Sequence, residues 1–163
     1  MKKVTLSILS AVMGVAAGIG VTNNFMEKTM KKNSAMSNKH LALFLMMNEW
    51  VKVKQKGKSL TEYFEKNGYK KIAIYGMSFI GRRLYEELAN YVEIDYAIDK
   101  NADNICMDIC IYLPNDHLEE VDAIIVTTVM HFDEITELLQ KKVKCPVLSL
   151  ENIIDELFLN CLE

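Results

Sequence analysis

Gly76, Ser78 and Gly81 stand in the spacing G-x-S-x-x-G within KKIAIYGMSFIGRRLYEEL, residues 70–88. In the glycine fingerprint of that spacing the first glycine makes a tight turn after a strand. The second position lets a pyrophosphate approach the backbone, and the third lets helix and strand pack closely. The chemistry implied is anion binding, because a helix start offers free N–H groups and the positive end of the helix dipole. Ser78 replaces the usual second glycine; its Cβ narrows the approach, while its hydroxyl can donate to a phosphate oxygen. Phe79 and Ile80 complete the turn, so positions 76 and 78–81 are the candidate contacts. Asp99 follows Gly76 by 23 residues, near the spacing of about 20 at which a carboxylate accepts from ribose hydroxyls.

A second group, Thr127, Thr128 and His131, falls just after the fourth expected strand. Open α/β sheets bind ligands outside the carboxyl ends of their strands, and His131 is placed there to contact phosphate or act as a base. The plain alternative for this histidine is a residue near a helix start. For the whole constellation the alternative is a fold that has lost its ligand. Arg82 and Arg83 read as solvated, Asp133 as a helix cap, and Glu119, Glu120 and Asp122 as a solvated loop rather than a metal site. An epimerase or short-chain dehydrogenase, which needs a Tyr-x-x-x-Lys pair with the lysine lowering the tyrosine pKa, is not expected. GMSFI half-matches a serine-hydrolase elbow, but Ile80 fills the place of its last glycine.

These residues need elements to hold them. KIAIYG is a compact apolar strand, and SFIGRRLYEELANY places Ile80, Leu84 and Leu88 four apart on one helix face. VEIDYAIDK, DICIYLP, Ala123–Thr127 and CPVLSL read as strands two to five. FDEITELLQKK, with Ile135, Leu138 and Leu139 inward, and ENIIDELFL read as helices. Alternation of this kind implies a five-stranded parallel Rossmann-like α/β sheet of order 3-2-1-4-5. Between strands two and four the helix is missing or very short, which leaves one face thinly covered.

Upstream lie three further segments. Residues 1–25 carry two lysines and an apolar run from Val4 to Val21, at the short edge of the roughly 20 apolar residues that span a bilayer. It reads as an uncleaved single-span anchor, against a signal peptide or a peripheral helix; Gly14 and Gly18 add a G-x-x-x-G spacing. Lysines 28, 31 and 32 favour a cytoplasmic soluble part. Residues 26–36 form a basic linker. Residues 37–58 hold a helix that is apolar nearly all round between His40 and Lys54, which packs on the following domain or makes a homodimer contact through residues 40–53, or lies on the membrane. Gly57 ends it, and SLTE, Ser59 to Glu62, is a capping box opening the 59–163 domain.

Composition excludes other classes. A net charge of −3 over 163 residues gives no nucleic-acid surface. Half of the residues are apolar, so a packed core is expected. Cys106 and Cys110 have C-x₃-C spacing without a histidine pair, so no metal is expected. The cysteines read as buried, reduced thiols, consistent with a reducing compartment.

The segments IAIYGMSFIGRRLYEEL, VEIDYAIDKNAD, LEEVDAIIVTT and CPVLSLENI together resemble small Rossmann-like domains of bacterial polysaccharide- and sugar-modifying proteins. These include proteins labelled nucleoside-diphosphate-sugar epimerase-like and the N-terminal domains of sugar O-acetyltransferases. The resemblance covers about residues 59–155 and identifies a fold more sharply than an activity. It implies a nucleotide ligand, NAD(P) or a nucleotide-sugar, at Gly76, Ser78, Gly81 and Asp99. The expectation is thus a nucleotide-binding accessory domain tethered to the bacterial cell membrane through residues 4–21, in cell-surface polysaccharide metabolism. Two alternatives stay open: an enzyme whose site a partner chain completes, and a degenerate Rossmann fold acting as an interaction protein.

Overall fold

The computed structural model describes the backbone of residues 2–160 and the side chains of residues 26–160. The chain divides into two compact units, residues 1–41 and 42–163. One helix, α1 (Lys2–Gln55), contributes to both. Residues 26–36, expected as a linker, are helical and continuous with it. In the first unit the side chains of residues 26–41 are exposed, with Lys31 bridging to Glu27 one turn back. Among the described residues no helix is long and apolar enough to cross a membrane. The expected anchor at residues 4–21 lies outside the residues whose side chains are described.

The second unit is an α/β domain. After the end of α1 come α2 (Thr61–Asn67), β1 (Lys71–Tyr75), α3 (Phe79–Leu88), β2 (Glu93–Ile98), a single 3-10 turn (Ala102–Asn104) and β3 (Cys110–Tyr112). Then follow β4 (Ala123–Val126), α4 (Phe132–Gln140), β5 (Val147–Ser149) and α5 (Leu150–Leu159). All five strands pair in parallel, in the order β3-β2-β1-β4-β5. The order matches the sequence expectation, and so does the stretch between β2 and β4, whose one helical element is the short 3-10 turn. β1 is matched residue for residue with β4. Against β2 its register slips between Ile72 and Ala73, a bulge that adds a residue on the β2 side. Asp95 in that stretch pairs with Lys71 at 2.9 Å.

Strand period two divides the core. Ile72 and Ile74 of β1 face one side, with Ile80, Leu84 and Leu88 of α3, Ile153, Ile154 and Leu157 of α5, Phe64 of α2, and Met46, Trp50 and Val53 of α1. Ala73 and Tyr75 face the other, where α4 contributes Ile135 and Leu139 and the loop before β4 adds Leu118. Leu138, expected inward, is only half-buried. The 40–53 helix therefore packs on the domain along its 46-50-53 face.

The helix ends follow local chemistry, with two departures. α2 ends at Gly68, whose left-handed backbone closes it. Glu62 reaches back to the Ser59 N–H at 3.2 Å as a capping box requires, but the capping position is Leu60. Ser59 Oγ accepts from the Thr61 N–H at 3.4 Å, as the box also requires, and donates to Glu87, on α3. Asp133 is not a cap: His131 holds that position, and Asp133 lies in the first turn of α4. The cysteine expectation is also corrected. Cys106 and Cys110 are exposed and Cys145 is half-buried, because the stretch around the first two runs along the edge of the sheet, on and before β3.

Candidate functional site

In the strand order, β1 and β4 mark the point where the chain's direction of travel across the sheet reverses. Helices leave their carboxyl ends toward opposite faces of the core. Such a reversal opens a crevice outside the strand ends, and the glycine turn lies there.

The turn is built tightly. Gly76 has φ +95°, a backbone conformation that L side chains avoid. Its N–H continues the sheet ladder to the Ile98 carbonyl at 2.8 Å. A Cβ at Gly76 would come within 2.8 Å of Thr127 Oγ1 and 3.3 Å of Thr128 Oγ1. A Cβ at Gly81 would collide with the Gly76 carbonyl. Gly76 thus makes the turn and Gly81 the close helix–strand contact, the two roles that the spacing assigned.

Asp99 is brought to this turn. Its Oδ2 accepts from the Met77 N–H at 2.7 Å, and its Oδ1 accepts from the Asn101 N–H at 2.8 Å. The Asp99 N–H meanwhile extends the β2–β3 ladder to the Tyr112 carbonyl. The carboxylate therefore locks the turn's first amide. A carboxylate has about four acceptor positions, so roughly half of this one's capacity is engaged internally.

Ser78 stands at the capping position of α3 with extended backbone, and its hydroxyl makes no capping bond. The first bond of the helix is that of the Arg82 N–H to the Ser78 carbonyl. The amides of Phe79, Ile80 and Gly81 come before it, and no acidic residue occupies that first turn. α4 differs, because Asp133 and Glu134 offset the positive end of its dipole. Of these two helix starts, only that of α3 has a first turn without an acidic residue. Phe79 projects from it with 88% of its surface exposed, whereas Ile80 is buried in the core. Arg82 and Arg83 are exposed as expected, and Arg83 pairs with Glu86 at 2.6 Å.

The β4 group separates in role. Thr127 is buried, and its hydroxyl donates to the Gly76 carbonyl at 2.7 Å with the Tyr75 carbonyl at 3.1 Å. It braces the turn. Thr128 is half-buried beside Gly76. His131 is exposed, has φ +68° and lies 3.2 Å from Glu134 Oε1. The αL geometry at a non-glycine residue is uncommon.

Other expected chemistry resolves plainly. The chain does carry a Tyr-x-x-x-Lys spacing, at Tyr96 and Lys100, but it has no catalytic form. Tyr96 is buried in β2 and donates to the Glu119 carbonyl at 2.9 Å, and burial pushes its pKa upward, opposite to what proton transfer requires. Lys100 is exposed beyond the strand. Burial, then the nearby Asp99 carboxylate, raises Tyr75 as well. No cluster of three metal-ligating side chains occurs among the described residues. Asp122, read from sequence as simply solvated, accepts from the Lys70 and Lys71 N–H groups, both at 2.8 Å. The bond from Lys71, and then that from Lys70, hold its pKa down.

Sequence reasoning missed Glu87. On the outer side of α3 it accepts from Lys54 Nζ at 2.8 Å, Trp50 Nε1 at 3.0 Å, the Leu60 N–H at 2.9 Å and Ser59 Oγ at 3.1 Å. Its side chain is 12% exposed. Burial pushes its pKa up, but the Lys54 ion pair and the Leu60 and Trp50 bonds outweigh that and hold it low. Nothing in the run Glu86-Glu87 distinguishes this carboxylate from its solvated neighbour. A groove of about 860 Å³ adjoins it, lined by α1, the Gly57–Ser59 turn and α3. No residue of the glycine turn lines it.

Comparison with models of known protein families finds no match. Neither characterised proteins nor solved structures yield one.

Proposed function

We propose that the 59–163 domain binds a nucleotide, NAD(P) or a nucleotide-sugar, in the crevice at the carboxyl ends of β1 and β4. In this reading the amides at the start of α3 receive the phosphates. Ser78 donates to them, the unengaged lone pairs of Asp99 accept from ribose hydroxyls, and Thr128 and His131 border the opposite wall. Thr127 acts indirectly by holding Gly76. The observation that carries the reading is the Asp99 carboxylate seated on the Met77 amide beside an uncapped, acid-free helix start. We further propose that residues 4–21 tether the chain to the bacterial cell membrane with the domain in the cytoplasm. There it serves as a non-catalytic accessory in cell-surface polysaccharide metabolism.

Calorimetric titration of the full chain in detergent with NAD, NADP, UDP-sugars and CoA tests the proposal. Ligand at a hundred times its Kd should stabilise the fold by about 2.7 kcal/mol. Heat from one nucleotide, weakened about ten-fold or more in Asp99→Asn, is the expected result. Silence from every nucleotide defeats the reading and leaves a fold without a ligand.

A further inference from the structure

We infer that Lys28, Lys31 and Lys32 of α1 contact the anionic phosphate headgroups of a phospholipid membrane. The inference rests on the proposed tether through residues 4–21 and on nothing at the glycine turn. Residues 1–41 hold six lysines and one glutamate, Glu27, a balance of +5. Residues 42–163 hold 13 lysines and arginines against 21 acids, a balance of −8. An anionic surface therefore attracts the first unit and repels the second. Asymmetry of this kind points to a membrane or a nucleic acid as the partner of the basic part.

Within the first unit the positive charge is gathered on one side. Lys31, Lys32 and Lys39 follow Lys28 by three, four and eleven residues, spacings that return to one face of a helix. Met26 and Met30 fall on the opposite face. All four lysines are exposed. Among the described residues only Lys31 of the four has an acidic partner, Glu27 at 2.7 Å. The place of the stripe along the chain selects lipid over nucleic acid. α1 is helical from Lys2 to Gln55, and the apolar run closes at Val21. Measured from that edge along the helix axis, Lys28 lies about 10 Å away, Lys32 about 17 Å and Lys39 about 27 Å. The headgroup layer reaches roughly 5–7 Å beyond the hydrocarbon on each side, and a Debye length at physiological salt adds about 8 Å. Side chains on a helix lean toward its N-terminus, here back toward the bilayer. Lys28, Lys31 and Lys32 thus fall within reach of the headgroup charge, and Lys39 lies beyond it.

The full chain in lipid nanodiscs tests the inference, with phosphatidylcholine alone or in an equal mixture with phosphatidylglycerol. Contact worth about 1 kcal/mol per lysine should slow acylation of each amine about five-fold, read site by site by peptide mass spectrometry. Slowing at Lys28, Lys31 and Lys32 in the anionic discs, but not at Lys39, is the expected result. It should vanish at 1 M salt, where the Debye length falls to about 3 Å. Equal rates in the two discs overturn the inference. So does slowing that extends to Lys39, which would lay α1 along the surface. Slowing only on addition of RNA would assign the stripe to nucleic acid and overturn it too. Vesicle flotation separates the tether from the lysine contact. The wild-type chain should float with neutral and anionic vesicles alike through residues 4–21. Flotation with anionic vesicles alone, lost on Lys28→Gln with Lys31→Gln and Lys32→Gln, would defeat the tether and support the contact without it. Flotation with neither defeats both.

Discussion

Glu87 accepts from four donors, so its substitution should be costly. Replacing it by alanine leaves the Trp50 indole N–H and the Leu60 N–H without an acceptor in a desolvated pocket. At about 1–3 kcal/mol for each buried unsatisfied donor, Glu87→Ala should cost roughly 2–4 kcal/mol, read as a shift of the urea midpoint. Because its folded pKa is depressed, the stability contributed by its charge is complete above the ordinary carboxylate pKa. It is lost as pH falls through the lower folded value. The acid limb of the stability profile should therefore flatten in Glu87→Gln. At the turn, Gly76→Ala sets a Cβ against Thr127 Oγ1 at an unfavourable φ and should cost about 1–3 kcal/mol. Removing the Thr127 methyl and hydroxyl together, as Thr127→Ala, should recover part of that loss by opening space, which a double-mutant cycle would measure.

At the scale of elements, the contact between α1 and α5 is electrostatically poised. The Asp155 carboxyl, hydrogen-bonded to Glu49, raises the Glu49 pKa; burial and the Asp155 and Glu151 charges add to the rise, against Lys52. Burial, followed by Asp155, likewise raises Glu151. Lys52 and Lys56 lie over the Phe158 ring at the same junction. A carboxyl with a raised folded pKa binds its proton more tightly in the native state. Its destabilisation is then complete above the folded pKa and vanishes as pH falls below the unfolded one. Glu49→Gln should thus raise the urea midpoint at pH 7, and the gain should shrink toward pH 5. An equal gain at both values would show that the carboxyls do not share a proton. The same helix illustrates a limit of pattern reading. An element apolar all round has no single face to assign, and only docking shows that the 46-50-53 face is the buried one.

Across the whole molecule, the two faces of the sheet are covered unequally. α3, α5, α2 and α1 pack one face, whereas α4 and the Leu118 loop serve the other. β1 and β4 lie at the centre of the sheet, and their described residues are buried almost throughout. β3 is a three-residue edge strand with partly exposed positions. Local opening tracks burial and edge position. Amides of β1 and β4 should therefore exchange with solvent only through global unfolding, and those of β3 through far smaller openings. Hydrogen exchange followed by mass spectrometry would show this as two separated rates. Uniform protection of β3 and β4 would contradict it.

Sequence alone determined the sheet, its order, the glycine turn and the helix faces through Ile80, Leu84 and Leu88. Each of these rests on spacing along the chain, and spacing is a property that neighbouring residues carry with them. It also placed Asp99 near the turn, because strand and helix lengths set how far along the chain the second strand ends. Tertiary structure decided what those groups touch. Asp99 engages the Met77 amide, Thr127 turns inward to brace Gly76, Cys106 and Cys110 lie exposed along an edge, and Glu87 gathers donors from α1 and from the turn before α2. A hydrogen-bond partner far away in sequence leaves no period in the chain, so only packing could reveal it.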